Sequence, residues 1–315
     1  MARMMQKIWS VATALSMTAG AGLAACGAQP APCALAGGTY EITLPQGPGG
    51  AIPAVMFLHG YGGSGAGVLR MTGMVEALTA RGYAVIAPDG APRPDGPRSW
   101  SFLPGLGSRD DFAFLPQVLR DAERRFGIEG DASVLAGFSS GAFMVNYLAC
   151  AEPGAFAAYL PVSGGFWRPQ PTACAGPVRL YHSHGWMDGT VPLEGRALGG
   201  GRFLQGDIWA GLELWRETLG CDSHAPETKW QEQDGQLLLR GWSCDVGAVG
   251  ADRGADGAGG FDGAGGSLTF ELFPGGHRVP PGWADRVLDW LEAAGTGTGR
   301  ATGTGRGTGT AIPAN

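Results

Sequence analysis

The chain has 315 residues, with 22 Lys and Arg against 28 Asp and Glu and a formal net charge of −6. That balance, with no basic stripe, argues against a nucleic-acid partner. Six cysteines fit an oxidising compartment, and the length suits one domain with a full core.

Residues 1–25 read as an export signal. Arg3 and Lys7 precede an apolar, small-residue run from Ile8 to Leu23, which is short and Ala/Gly-rich for a membrane span. Leu23-Ala24-Ala25-Cys26 resembles a bacterial lipobox, so Cys26 is a lipidation candidate and a tether to a membrane. The alternative is an ordinary cleaved signal that contains a cysteine. Residues 26–37 are expected to be a linker and 38–294 the folded domain.

Tyr40 to Leu44 alternates weakly, as an edge strand does. Ile52 to His59 and Tyr83 to Pro88 are continuous apolar runs, expected of strands buried on both faces. Between them lies a Gly-rich loop, 60–65, and a helix from about Val68 to Ala80. Gly90 to Gly107 is rich in Pro, Gly and Arg and predicts a surface loop. Asp110 and Asp111 can cap a helix reaching Phe126, in which Pro116 should delay the start or kink the axis. Further strands are expected at Ala132 to Phe138, Ala157 to Val162, Val178 to Ser183 and Leu268 to Phe273. Further helices are expected at Gly141 to Cys150, Asp207 to Leu219 and Trp283 to Leu291. Residues 246–266, with nine glycines between 247 and 266, read as a flexible insertion. The Gly/Thr tail at 295–315 cannot bury apolar surface and reads as disordered. The alternation predicts an α/β domain with a mostly parallel central sheet and helices on both faces.

If Cys26 carries lipid, five cysteines remain and one is unpaired. The preferred bridges are Cys150 with Cys174 and Cys221 with Cys244, since each pair brackets one local excursion, but sequence alone does not set the connectivity. Without lipid, a Cys26–Cys33 bridge becomes available. No C-x-x-C spacing points to zinc.

Gly137-Phe138-Ser139-Ser140-Gly141 follows a strand and precedes a helix. That pattern sets a serine on a sharp turn with its hydroxyl exposed. A serine hydroxyl needs a base, and the base needs an orienting carboxylate. Asp188 and His277 follow in that order, each just past a strand, which makes Ser139, Asp188 and His277 the catalytic candidates. The competing reading of Asp188 is a turn cap, and that of His277 a surface loop residue. The backbone N–H groups of Tyr61 and Ser140 are the candidate oxyanion donors. Trp186, Trp100 and Trp167 are candidates to line a substrate, against the simpler reading that they pack as core. Gly60-Tyr61-Gly62-Gly63-Ser64-Gly65 also satisfies the G-x-G-x-x-G pattern of dinucleotide sites, with Asp89 placed as a ribose ligand would be. An NAD-dependent oxidoreductase is therefore an alternative, although it leaves the Ser–Asp–His series unexplained.

His59-Gly60-Tyr61-Gly62-Gly63, the elbow at 137–141, His184-Gly185-Trp186-Met187-Asp188-Gly189-Thr190-Val191-Pro192 and Gly275-Gly276-His277 together resemble the polyhydroxybutyrate depolymerase/feruloyl esterase-like branch of the α/β-hydrolases. The resemblance spans about Gly38 to Ala293. It implies a single α/β-hydrolase domain, a Ser139–His277–Asp188 triad, an ester substrate of small or oligomeric size, and no metal or organic cofactor; a monomer is expected, although the sequence does not set the oligomeric state. Both preferred cysteine pairs also match those common in the branch. The chain departs from the branch at Ala142, where a second glycine often follows the elbow, and after His277, where the tryptophan is displaced to Trp283. These departures leave the acyl group open. A non-catalytic, hydrolase-like binding protein of the cell envelope is the other alternative.

Overall fold

The structure is a computed structural model that describes residues 25–47, 50–93, 96–221, 228–231, 237–244 and 266–295. The expected export signal up to residue 24, most of the Gly-rich stretch 246–266 and the tail beyond Gly295 lie outside the described residues.

The chain opens with two strands, β1 (Cys33–Leu35) and β2 (Gly38–Thr43), then β3 (Ala54–Leu58). Helices α1 (Gly65–Leu69) and α2 (Thr72–Ala80) lead to β4 (Ala84–Pro88) and a hairpin of β5 (Ala91–Arg93) and β6 (Gly96–Ser99). Helix α3 (Asp111–Phe126) precedes β7 (Val134–Phe138), α4 (Ser140–Ala151), β8 (Tyr159–Val162) and β9 (Arg179–Gly185). A small ribbon of β10 (Ala197–Leu198) and β11 (Phe203–Leu204) comes before α5 (Ile208–Thr218). Strands β12 (Thr228–Gln231), β13 (Leu238–Ser243) and β14 (Ser267–Phe273) and helix α6 (Trp283–Gly295) complete it.

Ten of these strands form one sheet in the order β1-β2-β4-β3-β7-β8-β9-β14-β13-β12. The middle six, β4 to β14, run parallel, and the two strands at each edge are antiparallel. All five residues of β3 and of β4 are buried, as continuous apolar runs require when helices cover both faces. Side chains alternate across the sheet, so each strand feeds two cores. Met56 and Leu58 of β3 join Leu115 of α3, Phe143 of α4 and Trp215 of α5. Val55 and Phe57 join Val68 of α1, Leu78 of α2 and Leu288 of α6 on the other face.

Several expectations change. The stretch 26–37 is no linker: it supplies edge strand β1, and Ile42 of β2 accepts Cys26 as a bridge partner. Cys26 is buried and bonded to Cys33. A sulfur shared in a disulfide has no valence left for a lipid thioether, so Cys26 is not the lipid site in this structure, and Cys33 is not unpaired. Cys150–Cys174 and Cys221–Cys244 pair as preferred, leaving no free cysteine. The helix expected at 68–80 is two, because Met71 breaks the turn between them. Helix α3 starts on its Asp110 cap, whose side chain accepts from Ala113 N–H at 3.1 Å, and runs through Pro116. Burial of Phe114, Leu115, Val118 and Leu119 against the sheet offsets the lost bond. The expected surface loop at 90–107 contains the β5–β6 hairpin and two buried aromatics, Trp100 and Phe102. Among the described residues no helix is long and apolar enough to cross a membrane.

Candidate active site

In a parallel sheet the strands end on the same edge, so loops after neighbouring strands meet there. Strand β7 ends at Phe138, and Ser139 turns the chain into α4 with φ 56° and ψ −117°. That conformation is costly for a residue with a Cβ, of order 1–3 kcal/mol, and persists only where the surroundings impose it. Here Ser139 N–H donates to Val162 O at 2.9 Å, and two glycines make room. A Cβ on Gly137 would lie 2.7 Å from the backbone of Gly141, and one on Gly141 would strike the Leu58 carbonyl of β3.

Asp188 follows β9 and His277 follows β14, the strand paired with β9 in parallel. Their loops are tied together: Trp186 N–H donates to Phe273 O at 3.1 Å and Met187 N–H to Gly275 O at 3.0 Å. The result brings three distant side chains into one series. His277 Nε2 lies 2.7 Å from Ser139 Oγ, and His277 Nδ1 lies 2.8 Å from Asp188 Oδ2. The other carboxylate oxygen, Oδ1, accepts from Thr190 N–H at 2.9 Å and Val191 N–H at 2.8 Å. A carboxylate only accepts, so His277 carries its proton on Nδ1 and presents a bare Nε2 to the serine hydroxyl. The ring of Phe138 stacks at a tilt against His277, 4.7 Å between centroids, which limits its rotation. Burial pushes the Asp188 pKa up, but hydrogen bonds from His277 and Val191 and the nearby imidazoles outweigh it and hold the carboxyl below the usual range.

Behind Asp188 lie two buried histidines on β9. His184 Nε2 bonds Val191 O at 2.8 Å and sits 3.7 Å from Asp188 Oδ2, and His182 Nε2 lies 3.3 Å from His184 Nδ1. The Val191 carbonyl can only accept, so His184 is protonated on Nε2 and takes a bond from His182 on Nδ1. Burial pushes His182 well below the ordinary imidazole value of 6.5. Burial also lowers His184, although Val191 O and Asp188 pull the other way. Both rings are therefore neutral in the folded state. Below about pH 6.5 the unfolded chain takes up protons that the folded chain refuses. The stability these rings carry is complete above that pH and declines as pH falls through it, by up to about 1.4 kcal/mol per pH unit for each ring. Denaturant titrations at pH 7.5 and 5 should show that loss; equal stability at both would contradict the neutral pair.

The loop after β3 carries Tyr61, 58% exposed, beside the serine turn, and Ser140 opens α4, where first-turn N–H groups lack helical acceptors. Trp186 is 44% exposed and Met187 65%, both on the Asp188 loop. Trp167 is half-buried against Phe102, Phe143 and Phe203. Trp100 is corrected: it is 1% exposed and its indole N–H donates to His59 O at 2.8 Å, so it supports the loop from beneath and does not line the opening. The dinucleotide alternative also meets an obstacle. Asp89 accepts from Thr39 Oγ1 and from Gly65 N–H, and Gly67 N–H donates to Ser64 Oγ. The acid and the helix-start donors that a nucleotide would need are already engaged. Sequence reasoning did not find Phe138 as the neighbour of His277, nor the two histidines stacked behind Asp188; nothing in their spacing separates such packing from any buried run. Among the described residues no group of three His, Cys, Asp or Glu could hold a metal ion.

No protein-family model and no curated protein matches the chain. Among solved structures it is similar to the acetyl xylan esterase from Aspergillus awamori, with 17% identity and a TM-score of 0.57, covering 81% of this chain and 94% of that one. It is also similar to TT1662 from Thermus thermophilus, with 22% identity and a TM-score of 0.50, covering 84% and 96%. The fold is that of the α/β-hydrolases. At these identities the likeness extends to the fold alone, and what the α/β-hydrolase scaffold does here has to be argued from the site.

Proposed function

We propose that this protein is an exported serine carboxylester hydrolase of the polyhydroxybutyrate depolymerase/feruloyl esterase-like kind. The observation that carries the reading is the pair of bonds made by His277, 2.7 Å to Ser139 Oγ and 2.8 Å to Asp188 Oδ2, at a serine held in a strained turn. In the proposed reaction Ser139 Oγ attacks the ester carbonyl carbon while His277 Nε2 takes its proton. The tetrahedral oxyanion is held by the N–H groups of Tyr61 and Ser140. Collapse breaks the bond to the alcohol oxygen, which takes the proton from His277 and leaves. Water then attacks the acyl-serine by the same transfers in reverse, releasing the acid. Asp188 keeps the imidazole in the required tautomer and stabilises its charged form.

Three disulfides fit folding outside the cytoplasm, and the charged, apolar start of the chain fits export. Tyr61 on the loop after β3 and Trp186 and Met187 on the loop after β9 are exposed large hydrophobic residues, which suits an ester with an aromatic or aliphatic portion. Soluble hydroxybutyrate oligomers, feruloylated sugars and acetylated sugars all have that character.

A fluorophosphonate probe tests the chemistry. Labelling is expected at Ser139 in folded protein, and hydrolysis of p-nitrophenyl esters, methyl ferulate or hydroxybutyrate oligomers on the same preparation identifies the acyl group. Folded protein that takes no label and turns over none of these esters would leave a non-catalytic binding protein as the better reading.

A further inference from the structure

We infer that His59 is a positioning residue for the oxyanion hole, acting by clamping the peptide between Gly60 and Tyr61. The inference rests on the serine-esterase reading above. His59 ends at the tip of β3, 4% exposed, and every polar atom around it points to one arrangement. Its Nδ1 lies 2.7 Å from Gly60 O, the carbonyl of the very next residue. Its Nε2 accepts from Gly90 N–H at 2.9 Å. A backbone N–H can only donate, so Nε2 is bare and Nδ1 carries the proton that it gives to Gly60 O. The neutral form is the one that burial favours, pulling the His59 pKa below its ordinary value.

The consequence lies on the far side of that peptide. In a trans peptide the C=O of one residue and the N–H of the next point in opposite directions. Gly60 O is held inward by two donors, His59 Nδ1–H and Gly63 N–H, the latter at 3.0 Å. Tyr61 N–H is thereby turned outward. The loop is also pressed onto the elbow: a Cβ on Gly60 would lie 3.2 Å from the Phe138 ring and 3.4 Å from Ser139 Cβ. Three further contacts anchor the clamp. The Trp100 indole packs at a 44° tilt against the His59 ring, 5.0 Å between centroids, and donates to His59 O, while the adjacent Ser99 Oγ bonds Ser140 Oγ at 3.1 Å. Residues 99 and 100 thus join the loop that carries one candidate donor to the residue that carries the other. An electrostatic site works because its dipoles are oriented before charge develops. His59 supplies that orientation for Tyr61 N–H without touching the substrate.

Two substitutions separate this role from plain packing. Asparagine keeps an N–H donor where Nδ1 stood, whereas glutamine moves its polar group out to the Nε2 position. His59→Asn is expected to keep kcat within about threefold of wild type, and His59→Gln to lose about ten- to a hundredfold in kcat, with KM little changed in both. Binding of a boronic acid, which mimics the tetrahedral adduct, should weaken in parallel with kcat. Equal kcat losses in both variants, or a loss that appears in KM instead, would overturn the inference. Nitrogen-15 shifts of the wild-type ring give a readout that needs no variant: Nδ1 must report as protonated and Nε2 as bare, and the reversed tautomer overturns the clamp. If the wild type takes no fluorophosphonate at Ser139 while the ring shows the expected tautomer, the esterase reading has failed and the clamp itself has not.

Discussion

Ser139→Ala is expected to lower kcat on p-nitrophenyl esters by about 10⁴–10⁶-fold while leaving the fold intact. The size follows from the site. In the proposed mechanism, removing Oγ deletes the atom that would form the acyl bond, and His277 Nε2, 2.7 Å from it, is left with no proton to take. What remains is hydrolysis by water at a carbonyl still polarised by backbone donors, which accounts for the residual rate above solution. The structural cost is small by comparison. Alanine meets the same backbone strain at φ 56° as serine does, and the glycines at 137 and 141 that create the space are untouched. Thermal melting within a few degrees of wild type is therefore the required control. A Ser139→Ala variant that melts normally and turns over at near the wild-type rate would remove Ser139 from the chemistry and the proposed mechanism with it.

How far the sequence reached follows from where each residue sits. The central strands were legible because both faces of β3, β4 and β7 are buried, so their sequences are apolar without interruption. Helix α5 was legible from its stripe of Ile208, Leu212 and Trp215 and its cap, with Asp207 accepting from Trp209 and Ala210 N–H. The edges were not legible. Strand β1 has three residues, and its pairing to β2 depends on no pattern that three residues can carry. Strands β12 and β13 lie beyond β14 as an antiparallel extension, and the Arg and Gly of β13 hide its period. Ser139, Asp188 and His277 were legible as a set because each lies just past a parallel strand, and chain order then leaves few partners. The support beneath them was not. Trp100 lies in a Pro-, Gly- and Arg-rich stretch that reads as surface, and only its indole bond to His59 O reveals it as core. Cys26 shows the same limit: a local motif at the end of a signal-like run competes with a bridge to Cys33, and spacing does not rank the two.

Asp188→Asn should cost about 10⁴ in kcat with the protein still folded, and the reason lies in which way the new amide must face. Oδ1 accepts from Thr190 and Val191 N–H, so the asparagine oxygen has to occupy that position. Its NH₂ group is then forced to the Oδ2 position, 2.8 Å from His277 Nδ1. Two donors cannot share that gap. The imidazole relieves the conflict by moving its proton to Nε2, which leaves Nδ1 as acceptor and aims an N–H at Ser139 Oγ. A histidine in that tautomer cannot take the serine proton. The same logic sets the pH response of the wild type. Hydrogen bonding holds the Asp188 pKa below the usual carboxylate range, so its carboxylate persists as the solution turns mildly acidic; the stability it contributes is present above the ordinary carboxyl value and goes only as pH falls through the lowered one. Asp188→Asn should therefore be impaired at neutral and mildly alkaline pH as well, because its amide holds the His277 ring in the wrong tautomer there. Rate measurements across pH on the folded Asp188→Asn variant decide it: recovery of wild-type kcat at neutral or mildly alkaline pH would mean that Asp188 supplies charge alone, and that tautomer control by the carboxylate is not how this site works.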